Sequence, residues 1–541
     1  MGLCNYIGVV CLLGYGMAYS YRPVDRAQPF LLPPDMREWL PAGHLVWFVL
    51  DVVARVDTSA LHARHGNDGP GRRAYDPDML LGLLLYAYCT GVRSSRRIER
   101  LCVVDVAYRV MAANAGPDHT TIARFRQGYN AVAQSLFVEV LELCAAAGLA
   151  SVGVVAIDGT KMGADASLGA NRTRDQIVAE VAAMFDGAEQ LDSDEDRLFG
   201  DANGDELPAE LIDPRSRKAR LDAALAVLEA QAAARRAEQV AARAAKAGTG
   251  NETGVGRRGR PVAGGEVIAA EAALAKARQK AQADHDQRQA RAEARGDRRG
   301  RPRTHPEGSF VAKAEARLAR AQQRAETRSQ EPAKAPKTPP RANVTDPDSR
   351  IMNTTKGWIQ GYNAQAAANT HGIILAATVT QNHNDMRSCV PMMHAIRANL
   401  DAAHIAVPIG TLLLDAGYCS EANLTAPGPD RLIATTKSWK LRAQARQNGY
   451  THGPPPPDAT PIDAMEHRLR SAEGTALYTQ RQHTIEPVFG HTKANRGYRR
   501  FTRRGLPAVN DEWQLIAATH NVQRLHHHQN RPPTPNTTET T

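Results

Sequence analysis

Apolar residues recur every three or four positions through the first part of the chain, and short unbroken apolar runs replace them further on. From 21 to 150 the spacing is helical. "GHLVWFVLDVVARV" and "DPDMLLGLLLYAYCTGV" each carry a wide apolar stripe. Asp76 is the natural N-cap of the second, with Pro77 at the first helical position. "SSRRIERLCVVDVAYRVMA" starts a further helix on Ser94 or Ser95. "PDHTTIARFRQGYNAVAQSLFVEVLELCAAAGL" opens with a short capped helix that presents Arg124 and Arg126 on a polar face. Helix, turn and basic helix is the outline of a helix-turn-helix DNA reader. A small helical bundle with solvated arginines has the same outline.

The pattern then changes. In "VGVVAIDGTKMGADAS", residues 152–167, Val152, Val154, Val155 and Ile157 form a short buried strand that ends on Asp158 and Gly159. From 176 to 345 the chain is rich in Ala, Arg, Glu and Gln, as in "LDAALAVLEAQAAARRAEQVAARAAKA". Such helices have little apolar surface to bury, so this insertion forms a helical hairpin or stays partly disordered. After 346 an α/β pattern returns. "GYNAQAAAN" and "GIILAATVTQ" read as a hairpin, "DMRSCVPMMHAIRANL" as a helix, "GTLLLDAGYCS" as a strand ending on Asp415, and "RLIATT" as another strand. The expected organisation is an extension over 1–20, a helical domain over 21–150, and the first part of an α/β domain over 151–175. The insertion over 176–345, the rest of the α/β domain over 346–525 and a disordered tail over 526–541 follow. The apolar run "IGVVCLLGYG" has no amphipathic period, and Met17 stands just after it, so residues 1–16 read as dispensable.

Charge adds a partner. The net charge is +10 and the pI about 9.3, which suggests a polyanion, nucleic acid first. The seven cysteines include no CxxC pair, which argues against a zinc ribbon and a disulfide framework and for core thiols in a reducing cytosol. No apolar run reaches the roughly 18 residues of a membrane span. The acidic stretch "LDSDEDRLFGDANGDELP" lacks the Gly and closing Glu of a calcium loop. Within the insertion, Arg258-Gly259-Arg260-Pro261 and Arg299-Gly300-Arg301-Pro302 spell the core of an AT-hook, in which slim glycine lets arginines enter an A·T minor groove. A basic linker broken by Gly and Pro has the same spelling.

The candidate chemistry lies at two strand ends. Asp158-Gly159 alone is a common turn pair. Asp415, however, closes a second apolar strand in the same way, and ligands of α/β sheets gather at such ends. If the strands are neighbours the carboxylates converge, and two adjacent carboxylates call for a proton or a cation between them. Mg²⁺, a hard ion held by carboxylates and phosphate oxygens, is the natural choice. Glu486 offers a third acid among Arg481, Lys493, Arg496, Arg499 and Arg500, a setting that suits metal and phosphodiester together; a solvated amphipathic helix with ordinary ion pairs would look the same.

These residues resemble bacterial insertion-sequence DDE transposases. The closest pattern is family eleven-eighty-two in insertion-sequence numbering, within the wider group of families four and five. The similar strings are "YRPVDRAQPFLLPPDMREWLP", "LLYAYCTGVRSSRRIER", "PDHTTIARF", "VAIDGTK", "TDPDSRIM", "GYNAQAAAN", "LLLDAGY" and "IEPVFGHTKANRGYRRFTRRGL", in that order over about 21 to 525. The resemblance implies an α/β RNase H-like catalytic domain with a long helical insertion after its first strand, preceded by an all-α N-terminal DNA-binding domain. It implies catalytic, metal-holding acids at Asp158, Asp415 and Glu486, with Lys493 beside them, and two Mg²⁺ ions, or Mn²⁺ in their place. The group's Tyr, Arg, Glu, Lys signature falls on Tyr478, Arg481, Glu486 and Lys493, with the Arg-to-Glu gap one residue longer than the signature. Arg481, Arg496, Arg499, Arg500 and Lys161 are then candidates for phosphate contact. The implied partners are the terminal inverted repeats and target DNA, bound by a homodimer assembled on DNA, in the cytoplasm at the nucleoid and away from membranes. A nuclease of the same fold that only cuts, or a DNA-binding regulator without activity, are the alternatives.

Overall fold

The computed structural model describes residues 35–63, 74–129, 132–183, 217–248, 265–294, 309–330 and 339–436, and, with short gaps between 437 and 446, continues to 530. The extension over 1–20, the calcium-like stretch 191–208, and Arg258, Arg260, Arg299 and Arg301 lie outside the described residues.

The N-terminal helices are α1 (Leu45–Val53), α2 (Pro77–Cys89), α3 (Ser95–Val104), α4 (Val106–Met111), α5 (His119–Gly128) and α6 (Ala133–Ala146). Their starts follow the expected chemistry. The Asp76 side chain accepts from Asp78 N at 2.7 Å with Pro77 in the first turn, Ser94 caps α3, and Asp118 accepts from Thr121 N at 2.7 Å to cap α5. Each cap satisfies an N–H that the first helical turn leaves without a partner.

A six-stranded mixed sheet follows. Its strands are β1 (Val154–Gly163), β4 (Arg350–Thr354), β5 (Gly357–Asn369), β6 (Ile374–Thr380), β7 (Thr411–Leu414) and β8 (Asp430–Ile433), while a separate ribbon pairs β2 (Asn171–Thr173) with β3 (Arg341–Asn343). The main path runs β4-β5-β1-β7-β8, and β6 also pairs with β5. β5 and β6 form the expected antiparallel hairpin. β1 is antiparallel to β5 and parallel to β7, and β7 is parallel to β8.

The register corrects one expectation. β1 does not end at Asp158. It continues to Gly163, with Asp158 opposite Ala366 and Gly163 opposite Gly361 on β5. The strand that ends is β7, whose Leu414 is the last partner, opposite Ile157. The outer half of β1 therefore has β5 on one side and, on the other, only a bridge from Gly163 to Arg500 at its far end, which leaves a crevice over the end of β7.

Side chains alternate along β1, so the sheet has two apolar faces. Ala156 and Met162 join the larger core, with Tyr362, Leu413, Ile485, Val488 and Trp513. Val155 and Ile157 join the other, with Leu412, Leu414, Met392 and Ile396 from α7 (Cys389–Ala402). The N-terminal helices share the larger core with helices that follow the sheet, namely α8 (Ala472–Gly490) and α9 (Leu506–Gln529). α9 runs past 525, where the tail was expected to begin, because Leu525 is buried and His526 packs on Phe48 and bonds Gly43 O at 3.0 Å. Cys89, Cys102, Cys144 and Cys389 are buried as core thiols, and burial pushes Cys89 up to about 12.

The β2–β3 ribbon forms the neck of the insertion, since its two strands flank it in sequence and pair directly. Beyond the neck are helices at Arg217–Gly248, Gly265–Ala294 and Ser309–Gln330. The first is seated by Leu221, Ala224 and Leu228 on Ile177 and Ala342. The other two pack on each other through Leu274, Ala281 and Val311, with an Arg278–Glu315 ion pair at 2.9 Å.

Candidate active site

Asp158 and Asp415 meet in the crevice at the end of β7. The Asp158 carboxylate accepts from Gly159 N at 2.8 Å and from Arg481 Nη2 at 2.7 Å. Asp415 folds back on Gly417 N at 2.9 Å, in the short 3₁₀ turn that follows β7. Burial raises the pKa of Asp158 to about 6; Arg481 pulls it down, and the charges of Asp415 and Asp385 push it up. Asp415 is raised chiefly by burial too, against Arg481, with Asp385 adding to the rise. Two half-buried carboxylates raised by burial and by neighbouring acids form an electrostatic trap for positive charge.

Helix α8 supplies the positive side. The Tyr478 hydroxyl donates to Leu414 O at 3.1 Å and ties the helix to the last residue of β7. One turn on, Arg481 reaches Asp158. Burial works against the charge of Arg481, but Asp158, Tyr478, Asp415 and Glu486 outweigh it and hold the guanidinium above its ordinary value. Glu486 lies near the end of α8, beside Pro487, and is exposed. It faces away from the buried stripe of Thr484, Ile485 and Val488, and its tie to the acid pair runs through Arg481.

A single π-helical turn, His491–Asn495, follows α8 and delivers Lys493 to β1. Its ammonium donates to Lys161 O at 2.9 Å and to Thr160 Oγ1, and burial lowers its pKa, with Arg499 and Lys161 adding to the effect. Lys161 points to the opposite face of the sheet, where its Nζ lies 3.8 Å from Asp385.

The basic candidates divide. Arg499 and Arg500 are exposed beside the bridge between Gly163 and Arg500; Arg499 Nε donates to Lys493 O at 3.1 Å and Arg500 pairs with Asp165 at 2.8 Å. Arg124 is exposed on α5, while Arg126 is half-buried and donates to Arg93 O at 2.6 Å. Arg496 is the correction. It is 6% exposed, donates to Ile516 O and Tyr88 O at 3.1 Å each and to Thr519 Oγ1, and stacks over Tyr498. Its charge is consumed in fastening the C-terminal helix to α2, which leaves no face for phosphate.

Sequence reasoning missed Asp385. It lies between β6 and α7, and its Oδ1 accepts from Asn363 Nδ2 at 2.6 Å and Gln365 Nε2 at 2.7 Å. Gly159 is what admits it, because a Cβ there would stand 2.3 Å from Asp385 Oδ1 and 2.2 Å from Gln365 Nε2. The signal in the sequence is the polar run "QNHND" directly after an apolar strand, which carries an acid past the sheet's edge into the next helix.

The donor set fits a hard divalent cation: buried carboxylate oxygens, with the Arg481 guanidinium and the Lys161 ammonium already standing where positive charge is needed. The acids are more open than a preformed single-ion cage. Among the described residues, three metal-ligating atoms come within 4.8 Å of one another only at His62, Asp76 and Asp78, an exposed group in which Asp76 is already the cap of α2.

Two family models match the chain. The Transposase domain (DUF772) covers residues 34–128, the helical region through α5, and the Transposase DDE domain covers 458–526, which includes α8, Lys493 and most of α9. Together they support an insertion-sequence DDE transposase. No curated protein and no solved structure matches the chain. Among the described residues, no helix is long and apolar enough to cross a membrane.

Proposed function

We propose that this protein cuts the ends of an insertion sequence of the family-eleven-eighty-two type and joins them to target DNA by phosphoryl transfer at Asp158, Asp415 and Glu486. The observation that carries the reading is the meeting of Asp158 and Asp415 from two parallel, neighbouring strands, with Arg481 reaching them from the helix that bears Glu486 and leads into the turn of Lys493. An antiparallel hairpin followed by a helical crossover to parallel strands, with Asp158 within the central strand and Asp415 just past the end of its parallel neighbour, supports an RNase H-like catalytic domain. The matched models at both ends of the chain support a transposase over a simple nuclease.

Mg²⁺ or Mn²⁺ held by Asp158, Asp415 and Glu486 would activate the attacking oxygen and neutralise charge on the phosphodiester. The chain's own groups do the positioning. Arg481 fixes the Asp158 carboxylate, and Tyr478 fixes the height of α8 over β7. Lys493, Arg499 and Arg500 form a cationic flank along the outer half of β1, suited to a DNA backbone entering the crevice. Water opens the end of the element and leaves a 3′-hydroxyl, which then attacks the target strand; no covalent protein–DNA link is required. Arg124 on α5 is the surface candidate for the terminal repeats, on a homodimer assembled at paired ends.

Labelled DNA carrying the element's own ends tests this. Mg²⁺-dependent cutting and joining by the wild type, both lost in Asp158→Asn, supports the reading. Cutting without joining reduces it to a nuclease, and binding alone to a regulator.

A further inference from the structure

We infer that Asp385 is a fourth carboxylate of the reaction centre, contributing Oδ2 as a ligand atom for the divalent cations held by Asp158 and Asp415. The inference rests on the proposed reading of that pair as a cation site and adds a residue that the three-acid description leaves out.

The two oxygens of Asp385 are used differently. Oδ1 is pinned by the Asn363 and Gln365 amides at 2.6 and 2.7 Å. Oδ2 accepts no hydrogen bond among the described residues, and it lies 3.5 Å from where a Cβ on Gly417 would stand, in the turn that Asp415 caps. The pinned oxygen fixes the carboxylate, and the open one is aimed at the crevice. The side chain is 18% exposed, so Oδ2 is open to an incoming ligand.

Two further groups point the same way. Lys161 sends its ammonium to 3.8 Å from Asp385, where Nζ is buried and makes no hydrogen bond. Burial works against that ammonium, and the charges of Asp385, Asp158 and Asp415 favour it, so all three acids draw positive charge to this wall. Asn363 is fully buried, and its Oδ1 is also without a donor, 2.9 Å from the Cβ position of Gly159. A carbonyl oxygen and an open carboxylate oxygen on one wall are the ligand types a hydrated Mg²⁺ or Mn²⁺ takes. The wall faces the turn that Asp415 caps, so Oδ2 lies on the Asp415 side of the centre.

The test uses the full chain and Mn²⁺ as the probe. Mn²⁺ affinity is read by electron paramagnetic resonance for the wild type, Asp158→Asn and Asp385→Asn, and melting temperatures are read in EDTA. The expected result is a loss of affinity of about tenfold or more in Asp385→Asn, with an EDTA melting temperature no lower than that of the wild type, since one repelling charge is gone. Affinity unchanged in Asp385→Asn but lost in Asp158→Asn overturns the role of Asp385 and leaves the proposed function standing. A lower melting temperature with unchanged affinity makes Asp385 structural and also overturns it. Absence of Mn²⁺ binding by the wild type removes the proposed cation site, and the inference with it. Should Asp385→Asn not fold, Fe²⁺-generated radicals on the wild type provide a second reading: backbone cuts near 385 as well as near 158 and 415 are expected, and cuts that spare 385 overturn the proposal.

Discussion

Two groups of buried acids stand within one fold and are treated in opposite ways. Asp346 and Glu512 are fully paired. Asp346 accepts the Tyr362 hydroxyl at 2.8 Å on both oxygens and Gly505 N at 3.1 Å, and Glu512 accepts Thr502 N, Thr502 Oγ1 and Arg503 N. Asp346 ties the loop before α9 to Tyr362 of β5, and Glu512 ties it to α9 itself. Asp158, Asp415 and Asp385 are only partly buried and lie close together, with Arg481 and Lys161 as their main relief. Burial alone therefore does not mark a functional carboxylate. The distinction is whether the protein supplies enough donors, and at the end of β7 it does not.

The largest effect expected from this contrast is on reaction rate. Asp158→Asn or Asp415→Asn should lower DNA cutting by about a thousandfold or more while leaving binding to end DNA nearly unchanged, because several kcal/mol of charge stabilisation is lost at the reacting phosphate but not at the phosphate contacts elsewhere. Single-turnover cleavage and gel-shift assays on the same preparations separate the two. Next comes Asp346→Ala, which strands the Tyr362 hydroxyl and Gly505 N and should destabilise the protein by about 3 kcal/mol. Denaturant unfolding measures it, and the surviving folded fraction should bind DNA normally.

The fold was more legible than the site. Apolar runs revealed β5, β6, β7 and β8, and the caps of α2, α3 and α5 were readable because Asp76, Ser94 and Asp118 are the residue types those positions need. Asp158 and Asp415 stood out because each closes an apolar run. The length of β1 did not, since "DGTKMG" lacks apolar character and is held as a strand only by its pairing with β5. Arg496 and Asp385 were misjudged or missed for a related reason. Whether an arginine meets solvent or a carbonyl, and whether an acid past a strand returns to the sheet, is decided by contacts far apart in the chain.

A third prediction uses pH. The pKa of Asp158 lies near 6 in the folded chain, above its ordinary 3.8, so the native state holds the proton more tightly than the unfolded state. Between those values the native state binds more protons at Asp158, so the contribution of Asp158 to stability in EDTA should fall as pH rises from about 4 to 6. Urea midpoints of the wild type relative to Asp158→Asn should therefore decline across that range. The smallest effect separates two arginines. Arg124→Ala should leave stability unchanged, weaken DNA binding across sequences, and reduce the salt slope by about 1. Arg496→Ala should instead lower the melting temperature, because Ile516 O, Tyr88 O and Thr519 Oγ1 lose their donor.

The central claim is that Asp158 and Asp415 form one cation-dependent centre for cutting DNA. The most direct measurement compares the wild type, Asp158→Asn and Asp415→Asn on labelled element ends, in Mg²⁺ and in EDTA, with binding recorded alongside. Cutting and joining by the wild type in Mg²⁺ alone, with both variants bound but inert, is the predicted result. Cutting by either variant at the wild-type rate would contradict it.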